Sequence, residues 1–275
     1  MQKELEKIKE KCLLCKKCSL CKTRTNIVFD DGFANPKLML IGEAPGFYED
    51  QQGKPFVGKA GQLLDRIFSS VGLTRKEHIY ICNTLKCRPP ENRNPLPEEK
   101  EACWEYLKAQ IDIIKPKIIL LCGNVAVQSI LPNASGITKI RGKWFQGSEI
   151  VHGAKLMPIF HPSYLLRNDS REKGSPKWLM WQDIQEIKRE YDKLWLKDFA
   201  LVLKKYFDWT TDSRLSWLVR VERVYGFCFK EFHSFRKRPP HSAHKSLELL
   251  VQSFANNLVR YNKFKQLEQY TQALW

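Results

Sequence analysis

The chain has 275 residues, 43% of them hydrophobic, and a formal net charge of +16. This length permits one large domain, or one domain with an appendage, and no apolar run is long enough to suggest a membrane span. A positive surplus of this size is typical of proteins that bind a polyanion, most often nucleic acid, but it does not distinguish an enzyme from a binder. Residues 1–11 are charged and lack the apolar centre of a signal peptide, so we expect a cytoplasmic protein.

The cysteines indicate metal binding rather than a disulfide framework, because nine of them occur without a secretion signal. After a short predicted helix over residues 2–11, four follow one another at three-residue steps: Cys12, Cys15, Cys18 and Cys21. Thiolates at Cys-x-x-Cys spacing can bind one metal centre from a single turn. Either these four form a complete local site, or two of them join Cys87 and Cys103 further along the chain. Spacing alone does not distinguish zinc from an iron–sulfur cluster.

Short apolar runs then alternate with amphipathic segments along the chain. The runs that predict strands are residues 37–41, 78–82, 117–122 and 156–160, with a weaker strand after residues 141–144. Helical spacing of apolar residues predicts helices over residues 62–68, 97–114, 123–131 and 178–195. This alternation predicts an α/β fold with three layers, α/β/α, around a mainly parallel central sheet.

The composition changes at about residue 197, where basic and aromatic residues become frequent. We therefore expect a first domain over residues 1–196 and a basic, aromatic C-terminal extension of unknown role over residues 197–275. Apolar residues at helical spacing between positions 246 and 270 predict that the extension is helical in part.

Polar side chains follow three of the predicted strands. Glu43 lies in a Gly-Glu-Ala-Pro-Gly loop after the first strand, Asn83 follows the second, and His161 follows the last. The carboxyl ends of parallel strands open on one edge of a sheet, which is where ligands bind in open α/β folds. The sequence therefore predicts that these three residues form one site.

Four segments resemble the motifs of family 4 uracil-DNA glycosylases, the iron–sulfur type. In chain order they are GEAPG, GKPFVGKAG, CNTLKCRPPENRNP and HPSYLLRN, and the resemblance runs from about Cys15 to about Leu194. It implies a DNA-repair enzyme that flips uracil out of DNA, hydrolyses its N-glycosidic bond and leaves an abasic site. The expected partner is uracil-containing DNA, single- or double-stranded, and we expect a monomer that does not bind membranes.

The resemblance also implies roles in uracil recognition. His161 would donate a hydrogen bond to the charge that develops on uracil O2. Asn83 would match O4 and N3–H together, a pattern that cytosine reverses. Phe56 would stack on the base, the backbone N–H of Ala44 would reach it, and Glu49 would crowd C5 and so exclude the methyl group of thymine.

The partner of the attacking water is less defined by the resemblance. Family 1 relatives have an aspartate where this chain has Ala44, and a carboxylate there would orient the water. Family 4 has a small residue at this position. Glu43 is therefore our candidate catalytic carboxylate, and the alternative is that Glu43 acts only through its backbone N–H.

For DNA, the resemblance implies phosphate contacts from Ser163 and from the backbone of Lys59 to Gly61. Arg167 would add positive charge. A leucine would fill the gap left by the flipped base, and the candidates are Leu165 and Leu166.

For metal, the resemblance selects two cysteines by their distance from the segment that begins at Arg24. The implied ligands of a 4Fe–4S cluster are Cys15, Cys18, Cys87 and Cys103, so that Cys12 and Cys21 are extra. A second hypothesis is a non-catalytic nucleic-acid-binding protein with a structural cysteine–zinc site. It explains the charge and the cysteines but not the convergence of Glu43, Asn83 and His161.

Overall fold

The computed structural model describes residues 1–33 and 35–206, and for residues 195–206 it describes the backbone alone. Its strands are β1 (Asp31–Gly32), β2 (Leu38–Gly42), β3 (Ile79–Asn83), β4 (Ile118–Cys122), β5 (Phe145–Gln146) and β6 (Lys155–Ile159). Its helices are α1 (Gln2–Leu13), α2 (Phe47–Gln52), α3 (Lys59–Ser69), α4 (Pro97–Ile114), α5 (Asn124–Ile130), α6 (Ile137–Ile140), α7 (Pro162–Arg167) and α8 (Pro176–Tyr206).

The chain divides into two compact units, Met1–Tyr191 and Asp192–Trp275. The first unit contains the whole sheet. Most of the second lies outside the described residues, as do the predicted helix between positions 246 and 270 and the cysteine at position 228. The predicted division of the chain at residue 196 therefore stays a prediction.

The six strands form one mixed sheet in the order β1–β3–β2–β4–β6–β5. Strands β3, β2, β4 and β6 are parallel to one another, and the short strands β1 and β5 pair antiparallel with β3 and β6 at the two edges. Every residue of β2, β3 and β4 is buried, so both faces of the central sheet are covered. Unbroken apolar runs form such strands because neither face meets water. The predicted α/β fold with a mainly parallel sheet is confirmed.

The order of the strands creates a switch point beside β2. The chain passes from β2 to β3 on one side and returns to β4 on the other side. Open α/β sheets bind ligands at such a point, outside the carboxyl ends of the strands. The segments that follow β2, β3 and β6 all begin at this edge.

Three short helices were not expected from the sequence, and one of them is the four-residue α6. The other two, α2 and α7, have six residues each, too few to show a helical period, and they lie in segments whose glycine or proline predicted loops. The four main strands lie within one residue of their predicted bounds, and α4 has its predicted bounds. In the described part of the chain, no helix is both long and apolar enough to cross a membrane.

Candidate active site

Asn83 provides an unpaired polar atom at the switch-point edge. It is the last residue of β3, and its side chain is buried. Its Oδ1 atom is the single buried side-chain oxygen or nitrogen without a hydrogen-bond partner among the residues described. A buried acceptor left unpaired destabilises a protein by about 1–3 kcal/mol, so such an atom marks a place where a ligand donor would bind. Gly42 keeps this place open, since a Cβ atom there would lie 2.3 Å from Oδ1.

Phe56 borders the same space in a strained conformation. Its φ of 55° is in the left-handed region, which destabilises a residue other than glycine by about 1–3 kcal/mol. Arg75 holds this conformation by donating hydrogen bonds to the carbonyl oxygens of Pro55 (3.1 Å) and Phe56 (2.9 Å). Gly61 packs so closely that a Cβ atom there would lie 1.8 Å from the Phe56 oxygen. The ring of Phe56 contacts the Gly42 position, so it lies beside Asn83.

Glu49, in α2, also fixes the Phe56 segment. Its Oε1 atom accepts hydrogen bonds from the backbone N–H groups of Val57 (3.0 Å) and Gly58 (2.8 Å). The Glu49 carboxylate is therefore committed to backbone groups next to Phe56, which adds a positioning role to the one expected from the sequence. Its expected contact with C5 of a base stays a prediction.

His161 completes the space from the end of β6. It is the N-cap residue of α7, and its Nδ1 atom accepts a hydrogen bond from the backbone N–H of Ser163 at 3.2 Å. The Ser163 hydroxyl oxygen lies 2.8 Å from the same nitrogen. Because Nδ1 is an acceptor, the proton of a neutral ring is on Nε2. The ring centroids of His161 and Phe56 are 5.6 Å apart.

The surroundings of His161 keep its ring neutral. Burial lowers its pKa from 6.5 to about 4, and the positive charge of Arg167 adds to this effect. At neutral pH the residue is therefore an uncharged Nε2–H donor on a ring beside that of Phe56. Gly123 allows the ring this position, since a Cβ atom there would lie 3.2 Å from the Cβ of His161.

Glu43 is the first residue after β2. Its backbone oxygen accepts hydrogen bonds from the Thr84 hydroxyl and from the N–H of Leu85, the latter at 3.1 Å. Its carboxylate has no hydrogen-bond or ion-pair partner in the described part of the chain, and burial raises its pKa. It lies near enough to Cys122, at the end of β4, to help raise the pKa of that thiol. A carboxylate without a protein partner is therefore available at the switch point.

The predicted DNA-contact residues lie on two helices that pack against each other, α3 and α7. Lys59 is the exposed first residue of α3, whereas Gly61 is buried against Phe56. On α7, Leu166 is 42% exposed, but Leu165 is buried in the core and cannot reach a ligand without moving. Of the two candidate wedge residues, Leu166 is therefore the exposed one, and the wedge role itself stays a prediction.

A cavity lined by six cysteines lies beside the segment that follows β3. The six are Cys12, Cys15, Cys18, Cys21, Cys87 and Cys103. All are free thiols, and burial raises the pKa of Cys103 to about 12. No group of three or more His, Cys, Asp or Glu side chains in residues 1–33 and 35–206 is arranged to hold a metal ion. The structure thus brings together the four predicted ligands and the two extra cysteines without distinguishing them.

Two cations and one amide group face the sulfur atoms. Arg24 donates a hydrogen bond to Cys87 Sγ at 3.3 Å, and the backbone N–H of Lys86 donates to Cys103 Sγ at 3.2 Å. The side chain of Lys86 is buried, and its charge acts to lower the pKa values of Cys12 and Cys103. Hydrogen bonds and positive charge around cysteine sulfurs suit an anionic thiolate-ligated centre. The surroundings of these sulfurs are therefore of the kind that a thiolate-ligated centre needs, although the thiols are not arranged around a metal ion.

Comparison with known proteins identifies the family. Residues 29–185 match the model of the uracil DNA glycosylase superfamily. A type-4 uracil-DNA glycosylase from Thermotoga maritima is 42% identical over 67% of this chain and 93% of its own length. Those from Sulfurisphaera tokodaii and Archaeoglobus fulgidus are each 41% identical, over 74% and 59% of this chain and 87% and 83% of their own lengths.

The chain belongs to the type-4 uracil-DNA glycosylases. The resemblance drawn from its sequence motifs is thereby confirmed. The superfamily match begins at Phe29 and ends before the last residues of α8, so it covers the whole sheet and both sides of the switch point.

Several residues that shape the site of this superfamily member were not found from its sequence. Arg75 holds Phe56 in place, and Lys86 reaches from the cysteine cavity to the backbone oxygen of Asn83 at 2.8 Å. Gln110 accepts a hydrogen bond from the Lys86 ammonium at 2.6 Å. These contacts join segments that are distant in sequence, so no local pattern predicts them. The sequence shows only that a lysine lies between Asn83 and Cys87.

Proposed function

We propose that this chain flips uracil out of DNA and hydrolyses its N-glycosidic bond, leaving an abasic site. This chain covers most of the length of two relatives that are named type-4 uracil-DNA glycosylases. The observation that carries the proposal is the convergence of an unpaired buried amide oxygen, an aromatic face and a neutral histidine donor beside the switch point. This set suits a planar base that has both donors and acceptors and that becomes an anion as it leaves.

Base recognition is assigned to Asn83 and Phe56. The unpaired Oδ1 of Asn83 would accept the hydrogen bond from uracil N3–H, and its Nδ2 would donate to O4. Cytosine has an acceptor at N3 and a donor at N4, so it would leave both amide groups unpaired, and a site built on hydrogen bonds rejects such a base strongly. Phe56 would supply the stacking face and Glu49 would border the base from α2. Ala44 would contribute its backbone N–H, since its side chain packs against the cluster of buried residues around the cysteines.

Catalysis is assigned to His161 and Glu43. Cleavage of the glycosidic bond places negative charge on uracil O2 and positive charge on the sugar. The Nε2–H of His161 would donate a hydrogen bond to O2. Because the ring carries no positive charge, it would stabilise the anion by hydrogen bonding alone. The carboxylate of Glu43, which has no partner among the described residues, would hold the attacking water and face the cationic sugar.

DNA contact is assigned to the N-terminus of α3 and to α7. Backbone N–H groups of Lys59 to Gly61 would bind phosphates, and the Ser163 hydroxyl would do so after turning away from His161 Nδ1, which keeps the backbone N–H of Ser163 as its donor. Arg167 would add positive charge. Leu166 would enter the gap left by the flipped nucleotide. Because the substrate is DNA, we propose that the protein acts inside the cell. We also propose that it acts as a monomer, on single- or double-stranded DNA.

The cofactor proposed is a 4Fe–4S cluster held by Cys15, Cys18, Cys87 and Cys103. Support comes from the type-4 relatives, from the six-thiol cavity and from the donors that face its sulfurs. When bound, the cluster would cross-link the N-terminal segment, the segment after β3 and helix α4, and so contribute to folding stability. It takes no part in the hydrolysis proposed here.

The test is excision from oligonucleotides that carry one uracil, with matched oligonucleotides that carry thymine or cytosine at the same position. Alkali cleaves abasic strands, so cleavage confined to the uracil strand supports the proposal. Iron and sulfide analysis of the purified protein tests the cluster. Tight binding without excision, together with zinc instead of iron, would support the alternative of a non-catalytic nucleic-acid-binding protein.

A further inference from the structure

Two exposed aromatic side chains begin helix α2, directly after the loop that carries Glu43. Phe47 is 50% exposed and Tyr48 is 56% exposed, which are the highest values among aromatic side chains in the described ranges. Their rings contact each other edge to face, with centroids 5.4 Å apart. Single exposed apolar side chains are common and need no explanation, but two in contact at the border of a site are less expected.

A cation is stacked on one of the two rings, that of Phe47. The guanidinium of Arg88 lies 5.1 Å from the centre of the Phe47 ring. Arg88 is held there by a hydrogen bond from its Nε atom to Asn92 Oδ1 at 2.8 Å. Arg88, Phe47 and Tyr48 thus form a continuous aromatic strip with a fixed positive charge at one end.

The other end of the aromatic strip meets the proposed phosphate site. A Cβ atom at Gly58, the N-cap residue of α3, would lie 3.5 Å from the Tyr48 ring. The next residue after Tyr48 is Glu49, which bonds to the backbone beside Phe56. The strip therefore lies next to the base pocket through Glu49, the residue after Tyr48. It lies next to the N-terminus of α3 through the contact between Tyr48 and Gly58.

We propose that the aromatic strip stacks unpaired bases that flank the flipped uracil, and so favours single-stranded DNA as substrate. The proposal rests on the proposed function and adds a binding surface to it. Aromatic rings interleaved with positive charge are the usual platform for single strands, because every base offers a face for stacking. In a duplex the flanking bases are already stacked and paired, so the strip gains little there.

The test measures binding of the full chain to oligonucleotides by fluorescence anisotropy. Each carries one 2′-fluoro-2′-deoxyuridine, whose fluorine disfavours positive charge on the sugar and so prevents turnover. Phe47→Ala and Tyr48→Ala should each weaken binding to the single strand by about fivefold or more, the lower end of the range for loss of one base–aromatic stack. Binding to the duplex should change by less than about twofold. Tyr48→Phe, which keeps the ring, should bind like the parent.

Two controls separate stacking from other effects. Phe33→Ala removes another exposed ring. Phe33 lies at the opposite end of the strands from the site, because its N–H bonds to Ile79 at the start of β3. This variant should bind single and double strands like the parent. Arg88→Gln should lower the slope of the logarithm of the binding constant against the logarithm of the salt concentration by about one, the contribution of one phosphate contact. Phe47→Ala should leave that slope unchanged.

The outcomes are distinguishable from failure of the proposed function. Normal uracil excision by the parent, with single-strand binding unchanged in Phe47→Ala and Tyr48→Ala, would overturn the strip and leave the function intact. Equal losses on single and double strands would also overturn it, since stacking on unpaired bases would not be the cause. A parent without excision activity, whose single-strand binding still falls in these variants, would support the strip and refute the function.

Discussion

Replacement of His161 by alanine tests the assignment of the oxyanion donor. The structure gives this ring one function toward a ligand, because Nδ1 accepts from Ser163 and only the Nε2–H remains to donate. Loss of one such donor typically lowers the chemical rate by about 10²- to 10³-fold, or about 2.7–4 kcal/mol. We therefore expect single-turnover excision at saturating enzyme to slow by about that factor, while the affinity for DNA changes little.

The pH dependence gives a second measurement on the same variant. The pKa of His161 is about 4 in the folded chain, below its ordinary value of 6.5. As the pH falls, the unfolded chain therefore binds a proton at His161 at a higher pH than the folded chain does. The stability that the neutral ring contributes is complete above pH 6.5 and is lost as the pH falls through 4. Between these values the parent should lose up to about 3 kcal/mol more than His161→Ala, measured by denaturant unfolding.

Ser163→Ala is the matched control. It removes the hydroxyl beside Nδ1 but keeps the backbone N–H that fixes the tautomer, so its rate should fall by only a few-fold. If His161→Ala itself excised uracil within a few-fold of the parent, the assignment would be refuted. The oxyanion role would then belong to the backbone of residues 42–46.

Three further predictions follow from the pocket and the cavity. Asn83→Asp should lose most uracil excision and admit some cytosine, because a carboxyl group changes the donor pattern; an excision assay on both bases checks this. Gly61→Ala should displace the Phe56 carbonyl, which a Cβ atom would approach to 1.8 Å, and lower the melting temperature as well as the affinity for uracil; unchanged values would contradict the packing argument. Cys87→Ser should lose iron and soluble protein, whereas Cys21→Ser should keep both, as measured by metal analysis; the reverse result would exchange their roles.

The sequence was most informative where burial is complete. Strands β2, β3 and β4 are continuous apolar runs because both of their faces are covered, and β6 is apolar after its first residue. The polar residues that follow β2, β3 and β6 could therefore be recognised in the sequence. From these ends alone, the convergence of Asn83 and His161 could be expected, and the structure places both beside the ring of Phe56.

The parts that could not be predicted depend on contacts between distant segments. The left-handed conformation of Phe56 exists because Arg75 and the Glu49 carboxylate hold its neighbours, and a phenylalanine carries no local signal for it. Likewise, the choice between Leu165 and Leu166 depends on which side of α7 faces the core, and a helix of six residues shows too little of its period to reveal this.

The segment that links the base pocket to the cysteines also explains why the two sites lie side by side. Its residues Thr84 and Leu85 bond through their N–H groups to the carbonyl oxygens of Gly42 (2.9 Å) and Glu43 (3.1 Å), so the segment fixes the loop after β2. Lys86 then bonds at one end to the Asn83 oxygen and at the other, through its N–H, to Cys103 Sγ.

This linkage makes the dependence between the two sites unequal. A buried ammonium is costly unless it stays fully hydrogen-bonded, so disorder at the cysteines would release Lys86 and with it the strand end that carries Asn83. Loss of the Asn83 side chain, in contrast, leaves its backbone oxygen and the Lys86 contact in place. Cys87→Ser should therefore impair base discrimination in whatever protein remains folded, whereas Asn83→Asp should retain the full iron content.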